Sequence, residues 1–311
     1  MLILMLAEND PAGTAIRFAK ALNTYTNHQC RLITAQTRYA HDWEKDLHVP
    51  DLTAAGLDEV ESLLRRADVF HFHMVIDEHY AFGPFLPREY LAGKMVVHHH
   101  HGHHAFRSNP EMFRRKYQAL GRRRLLVATP DLLHMLPEAR WQPNLVPLGN
   151  AQAMPPGPSL VVSHAPTRRE LKNTAELQRV VERIRRDDPR LVLDLIDDVP
   201  HVQCLARKAR SHVTFDHMQG YYGMSSLESM ALGRPVIAGL TDHTRNVIRE
   251  GLGCQELPWL QATTEAALEA VLRQLLREPD ALDTRGRQAR QFMERHWHPA
   301  RIAAMLAEVY A

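Results

Sequence analysis

At 311 residues the chain exceeds one comfortable core and fits two domains, each burying its own apolar interior. Its 45% hydrophobic and 24% charged content is that of a globular protein in water, and 38 basic against 36 acidic residues leave a net charge of only +2, so bulk charge names no partner. Three scattered cysteines, Cys30, Cys204 and Cys254, exclude a disulfide framework and suit a reducing, cytoplasmic compartment.

The N-terminal MLILMLAENDPAG is apolar for only a few residues, lacks a preceding basic region and meets Glu8 and Asp10 directly afterwards. It is expected to be a first β-strand and not a signal peptide. No later run is long enough to span a bilayer, which leaves a peripheral contact as the only membrane role open. Short apolar runs then alternate with longer amphipathic ones, the pattern of parallel strands joined by crossover helices. Strands are predicted at 2–7, 31–35, 68–73, 94–99, 125–128 and 145–147, with helices at 14–23, 58–66 and 110–120. Residues 149–158 are small and proline-rich, and sustain neither period, so they form the expected linker. Beyond it, strands are predicted at 159–164, 191–196, 213–216 and 235–238, and helices at 170–186, 202–209, after the loop at 219–224, and through 277. A helical tail over 279–296 breaks at Trp297-His298-Pro299 and resumes over 300–310. The expected domains are 1–150, 151–296, and a closing segment 297–311.

The stretch QGYYGMSSLESMALGRPVIAGL, residues 219–240, carries the strongest chemical signal. Ser225-Ser226-Leu227-Glu228 matches a capping box, in which Glu228 serves only the start of its helix, while Gly233 and Pro235 end it. Against that stands the context. Gly220 and Gly223 permit close backbone approach, and a helix N-terminus at the carboxyl end of a parallel strand favours an anion such as phosphate. A glutamate there would accept hydrogen bonds from hydroxyls, as in a ribose diol, so the features together suggest a sugar nucleotide.

YGMSSLESMALGRPVIAG closely resembles the donor-site motif of the family-four-like glycosyltransferases of the GT-B fold, a glycine-rich turn followed by Glu-Ala-Met-Ala-x-Gly-x-Pro-Val-Ile. SHAPTRRELKNT at 163–174 is similar to that family's His-Ala-Pro-x-x-Arg-x-x-Lys-Gly-Thr segment, and DVFHFH, HHHHG, LVATPDLL and the closing helices extend the likeness over most of the chain. The resemblance implies an α/β fold of two Rossmann-like domains with parallel sheets facing across a cleft, the last helix crossing back to the first domain. It implies a retaining, metal-independent hexosyltransferase that uses a nucleoside-diphosphate sugar of UDP or GDP type and no cofactor. The acceptor would be a hydroxyl of a glycan, a lipid-linked or another surface-polysaccharide precursor.

Carried over residue by residue, Glu228 would hold the ribose hydroxyls, Arg169 and Lys172 would neutralise the diphosphate, and the backbone of Gly223, Met224, Ser225 and Ser226 would complete its cradle. Fixed cations and dipoles stabilise the charge that builds on the departing diphosphate. Relatives often carry a second glutamate eight residues before Glu228, where this chain has Gly220. Others lack it and carry an aspartate upstream, which makes Asp216 the substitute contact to the sugar; the plain alternative is that Asp216 merely ends a strand.

The tract His98-His99-His100-His101-Gly102-His103-His104 follows a strand, along which neighbours point to opposite faces and cannot all ligate one ion, so no physiological metal site is expected. The resemblance implies that His101, and with it His73, lies near the transferred sugar, to hydrogen-bond it or receive a proton. His71, His98 and His100 are expected to be ordinary packing or surface residues. Asn9, Gly13 and Thr14, between the first strand and its helix, resemble the loop lining the acceptor side, where a helix N-terminus can take an anionic group. Arg107, Arg114, Arg115, Lys116, Arg122, Arg123 and Arg124, interleaved with aromatics, would meet anionic lipid, a polyanionic glycan or nucleic acid, or else form a solvated face. Two rival functions stay open: transfer of sugar to hydroxymethylated bases in DNA, and a non-catalytic sugar-nucleotide-binding module. No carboxylate pair supports a glycosidase.

Overall fold

The computed structural model describes residues 1–38 and 44–311, which divide into two compact units, Met1–Leu145 with Pro299–Ala311, and Val146–His298. Unit 1 begins with β1 (Leu2–Ala7), α1 (Thr14–Tyr25), β2 (Gln29–Thr34), β3 (Leu47–His48), α2 (Ala54–Arg66) and β4 (Val69–His73). It continues with β5 (Met95–His100), α3 (His104–Ser108), α4 (Pro110–Ala119), β6 (Arg124–Val127) and β7 (Arg140–Trp141). The sheet order is β3-β2-β1-β4-β5-β6-β7 and every pairing is parallel. Ile3, Leu4, Met5 and Leu6 of β1 are all fully buried, as a central parallel strand covered on both faces requires.

Unit 2 comprises β8 (Leu160–His164), α5 (Thr174–Asp187), β9 (Leu191–Leu195), α6 (His201–Ala209), β10 (Val213–Phe215) and α7 (Met224–Ala231). β11 (Val236–Ala238), α8 (Asp242–Leu252), β12 (Leu260–Gln261), α9 (Glu265–Arg277) and α10 (Ala281–His296) follow. Its parallel sheet runs β12-β11-β10-β8-β9 over a core that includes Leu177, Val180, Ile184, Val213, Phe215, Ile237 and Leu272. The final helix, α11 (Pro299–Tyr310), lies in unit 1: Gln142 donates to the Ile302 carbonyl at 3.2 Å, and the Tyr310 hydroxyl meets His71 Nδ1 at 2.7 Å. Among the described residues no helix is long and apolar enough to cross a membrane.

The strand predicted at 145–147 does not form. The edge strand is β7, four residues earlier, paired through Leu126 with Arg140 and Val127 with Trp141. Pro143 and Pro147, without amide donors, flank Leu145 and Val146 and deny them a ladder. The helix predicted at 170–186 is also divided: residues Arg169–Leu171 form a 3-10 turn, Asn173 turns left-handed at φ 55°, and α5 starts only at Thr174. The short elements β3, β12 and α3 went unpredicted because two to five residues show no period.

One close approach sets the packing of α7 on α10. A Cβ at Gly286, inside α10, would lie 2.4 Å from the Gly233 carbonyl oxygen just past α7. Alanine improves an exposed helix interior by about 1 kcal/mol over glycine, but overpacking against backbone costs about 1–3 kcal/mol. Gly286→Ala is therefore expected to lower the thermal unfolding midpoint of unit 2 by a few degrees; an unchanged or higher midpoint would mean that α7 and α10 separate freely.

Candidate functional site

The strand order of unit 2 reverses between β8 and β10, with β9 on one side and β11 and β12 on the other. Loops leaving two such strands diverge and open a crevice at their carboxyl ends, the usual ligand position of an open α/β sheet. The segment after β8 carries Arg169 and Lys172, and the segment after β10 carries Asp216, Gly220 and Gly223 into α7 and Glu228.

The Ser225–Glu228 capping box is not formed. Helix α7 starts at Met224, so Ser225 already lies inside it, and its N-cap is Gly223, which has no side chain. Asp216 supplies the cap from the end of β10, its Oδ2 accepting from the Gly223 amide at 2.6 Å and the Ser226 hydroxyl at 2.5 Å. A Cβ at Gly223 would sit 3.0 Å from Asp216 Oδ1 and 3.4 Å from Lys172 Nζ, so this approach needs glycine. Burial opposes the charge on Asp216, but His217, Lys172 and the bonds from Ser226 and Gly223 bring its carboxyl down to about 2. The amides of Met224 and Ser225 lie in the first turn, where the helix itself offers no acceptor.

Glu228 is one turn further in and only 8% exposed. Its Oε1 meets His201 Nε2 at 2.7 Å and its Oε2 accepts from Lys208 Nζ at 2.8 Å, both partners coming from α6. Lys208 is itself 1% exposed. Burial works against ionisation of Glu228, yet the Lys208 ammonium and His201 hold its carboxyl far below the ordinary value of 4.5. Burial likewise works against the charge on Lys208, but Glu228 overrides it and raises the amine.

Lys172 is half-buried, with its Nζ 5.5 Å from the centre of the Tyr221 ring. Arg169 is exposed and bound to Asp197, Nε to Oδ2 at 2.7 Å. The two tyrosines of the loop divide their work. Tyr222 is buried against Trp259 and Trp297, at ring distances of 5.6 and 5.5 Å, and anchors the loop, while Tyr221 stays with Lys172 and with His217 at 4.6 Å. The structure thus gathers Asp216, Gly223, Met224, Ser225, Ser226 and Lys172 at the start of α7, with Glu228 one turn further in, while Arg169 is engaged with Asp197.

In unit 1 the order reverses between β1 and β4. The α1 N-terminus there, expected to receive an anionic group, is filled by the chain: Asp10 accepts from the Thr14 amide at 2.8 Å and the Ile16 amide at 2.9 Å. Gly13 occupies the N-cap at φ 61°, and Asn9 and Thr14 are buried. His73 at the end of β4 and His101 after β5 meet, Nδ1 to Nε2 at 3.0 Å, and His101 Nδ1 lies 3.1 Å from Asn144 Oδ1. Both nitrogens of His101 are thus engaged, so accepting a proton from a substrate requires one of these bonds to open. Burial lowers His101 to about 4, against a smaller opposing effect of Asn144, and lowers His73, His98, His99 and His100 well below 6.5. His71, His98 and His100 are packed in the interior. Alternation along one strand, the ground for expecting no metal, does not separate residues of paired strands: His71, His73 and His99 share one face, each with a ring nitrogen within 4.8 Å of the others.

The basic stretch of unit 1 is largely paired. Arg114 is joined to Glu138 and Glu111, Arg115 to Glu111, Lys116 to Asp77, Arg122 to Glu78, and Arg124 donates to the Val309 carbonyl. Arg107 is paired with Asp131. Of this stretch Arg123 alone has no carboxylate or carbonyl partner among the described residues, and a face so neutralised carries little charge toward a polyanion.

No family model and no curated protein matches the chain. Solved structures do. HepE of Anabaena, in complex with UDP and glucose, superposes with a TM-score of 0.65 at 10% identity, over 100% of this chain and 99% of that one. Sucrose-phosphate synthase of Thermosynechococcus elongatus gives 0.59 at 13% identity over 100% and 98%, and a glycosyltransferase of Rickettsia africae 0.57 at 9% over 99% and 97%. The chain has the GT-B fold. Two parallel α/β sheets are its framework, as the sequence motifs led one to expect, with seven and five strands where six and four were predicted.

Within this GT-B chain, sequence inspection missed His201 and Lys208. Both sit on α6, which reads from its sequence only as a short amphipathic helix, and their partner Glu228 is 27 and 20 residues away. A lysine in the predicted helix 202–209 gives no sign of burial until its carboxylate is placed. Glu228 has the lowered folded value, so the stability it supplies is complete above about pH 4.5 and is lost as pH falls below that. Glu228→Gln leaves Lys208 buried without its counter-charge and is expected to cost ~3–5 kcal/mol near neutrality. The gap between wild type and variant in urea unfolding should narrow as pH is lowered from neutral through 4.5; a gap independent of pH would mean that Glu228 is not ionised in the fold.

Proposed function

We propose that this protein is a glycosyltransferase that moves a sugar from a nucleoside-diphosphate donor, bound by unit 2, to a hydroxyl acceptor. The observation that carries this reading is the carboxylate of Glu228, held in the interior between His201 and Lys208 one turn from the α7 N-terminus, with Lys172 beside Gly223 at that N-terminus. An ionised carboxylate is acceptor-only and has lone pairs beyond those taken by His201 and Lys208, so it suits a ribose diol. The amides of Met224 and Ser225 and the Lys172 ammonium suit the diphosphate, and Arg169 can turn to it from Asp197. That supply of cation and dipole at the leaving group makes the transfer metal-independent. UDP is the favoured nucleotide, because HepE, with which the fold is shared, was solved with UDP and glucose.

Transfer proceeds with retention. The bond from the anomeric carbon to the diphosphate oxygen breaks as the acceptor oxygen bonds to the same face, and the acceptor proton passes to the departing phosphate. Asp216 and His73 with His101 are the groups assigned to the transferred sugar, and Asn9, Gly13 and Thr14 to the acceptor side. A precursor of a surface polysaccharide, met in the cytoplasm, is the acceptor class proposed.

Thermal shift with uridine, UDP, GDP and their sugars tests the donor site. Saturation at 100 times the dissociation constant should add about 2.7 kcal/mol of stability. Lys172→Ala is expected to weaken UDP roughly tenfold, the loss of one charge-assisted contact, while leaving uridine unchanged. Glu228→Gln should weaken uridine and UDP alike. If no nucleotide or nucleotide sugar shifts the midpoint, the donor assignment fails; if they bind but no sugar is released or transferred with any acceptor, the chain is a binding module.

A further inference from the structure

We propose that His71, His73 and His99 form a binding site for one divalent transition cation of the zinc class inside unit 1.

The site follows from strand pairing. β4 and β5 are parallel with Phe72 opposite His98 and His73 opposite His99, so His71, His73 and His99 share one face while Phe72, His98 and His100 take the other. His71 and His99 are 0% exposed and His73 is 2% exposed. On this face His71 Nε2, His73 Nε2 and both nitrogens of His99 are buried and without a hydrogen-bond partner. Leaving a buried polar atom without a partner is unfavourable, and one cation would satisfy three of these at once.

The hydrogen bonds that are made point the same way. Asn144 Oδ1 can only accept, so His101 Nδ1 donates to it; His101 Nε2 is then the acceptor for His73 Nδ1. That leaves His73 Nε2 as a bare lone pair aimed into the interior. His71 is also fixed through Nδ1, which meets the Tyr310 hydroxyl at 2.7 Å, and the tautomer in which Nδ1 donates to that hydroxyl leaves its unpartnered Nε2 as a lone pair. A ring whose far nitrogen is fixed by a hydrogen bond while the other is bare is the usual state of a metal-ligating histidine.

The spacing is near what coordination needs. The three candidate nitrogens lie within 4.8 Å of one another, whereas tetrahedral bonds of about 2.0–2.1 Å set them ~3.4 Å apart. Closing that gap takes ring rotation about Cβ–Cγ, a broad torsion for histidine. Three imidazoles and no carboxylate select zinc, cobalt, nickel or copper over magnesium or calcium, which want oxygen. Water takes the fourth position.

The test uses the full chain, stripped with a chelator and titrated with Zn²⁺ and with Co²⁺. One equivalent of Zn²⁺ should survive gel filtration and raise the thermal midpoint, and Co²⁺ should show the intense visible bands of four-coordinate geometry. His99→Phe should abolish both, and Tyr310→Phe, which leaves every ligand in place, should weaken binding roughly tenfold through the orientation of His71. The double variant His103→Ala/His104→Ala, removing histidines outside the cluster, should bind as wild type does. The proposal is overturned if wild type retains no equivalent, if its cobalt spectrum is that of weak six-coordinate binding, or if binding survives His99→Phe and vanishes with His103 and His104.

Discussion

Parallel pairing is the constraint from which the rest of this structure follows. When every strand of a sheet runs the same way, all its carboxyl ends lie along one edge, and wherever strand order reverses, two outgoing loops leave that edge side by side. In unit 2 the reversal between β8 and β10 sets the segment with Arg168, Arg169 and Lys172 beside the one with two carboxylates, Asp216 and Glu228. In unit 1 the reversal between β1 and β4 puts Asp10 and His73 at neighbouring strand ends. Chemistry-bearing residues far apart in the chain thereby become neighbours.

The same edge is where helices begin, and here each unit puts its own carboxylate on a helix start: Asp10 on α1 and Asp216 on α7. Both satisfy first-turn donors that nothing in the helix can reach. They differ in what stands nearby. Burial raises the Asp10 carboxyl despite the amides of Ile16, Ala15 and Thr14, whereas Asp216 has Lys172 and His217 beside it and stays ionised. At the α1 start Arg17 acts on Asp10 but does not overcome burial, whereas at α7 Lys172 comes close to Gly223 itself. One turn deeper, Glu228 needs Lys208 and His201 because an isolated carboxylate at 8% exposure is far costlier than a paired one.

The fold was legible because its signals are local and periodic: apolar runs for strands, amphipathic runs for helices, proline and glycine between them. The loop 219–224 and the Gly233-Arg234-Pro235 stop were legible for the same reason. Edge strands of two residues were not, and prolines at 143 and 147 misled the placement of β7, because an apolar pair between prolines resembles a strand until its donors are counted. The capping box failed for a related reason. Ser225 and Glu228 have the right spacing, but spacing says nothing of where the helix starts, and a carboxylate nine residues before Ser225 arrives at the start first. Lys208 and the histidine face of β4 and β5 are products of tertiary pairing, invisible to any window along the chain.

Gly220 shows how backbone geometry restricts what chemistry this loop can hold. Its φ is +89°, a region that side chains rarely adopt, and an added Cβ would also meet the Thr241 methyl at 3.0 Å. The conformation is enforced from both sides: the Gly220 amide donates to the Gly239 carbonyl at 2.9 Å, and its own carbonyl accepts from the Thr241 amide at 3.0 Å and the Thr244 hydroxyl at 2.7 Å. A glutamate at this position would have to break that lattice or bear the strain, so its absence is a property of the turn and not a simple loss of one acid. The carboxylate at the end of β10, Asp216, is already committed to the Gly223 amide and the Ser226 hydroxyl through Oδ2, with Oδ1 toward His217 at 3.6 Å. Any further contact Asp216 makes while the cap holds must therefore be made through Oδ1, which ties that contact to the integrity of the α7 start.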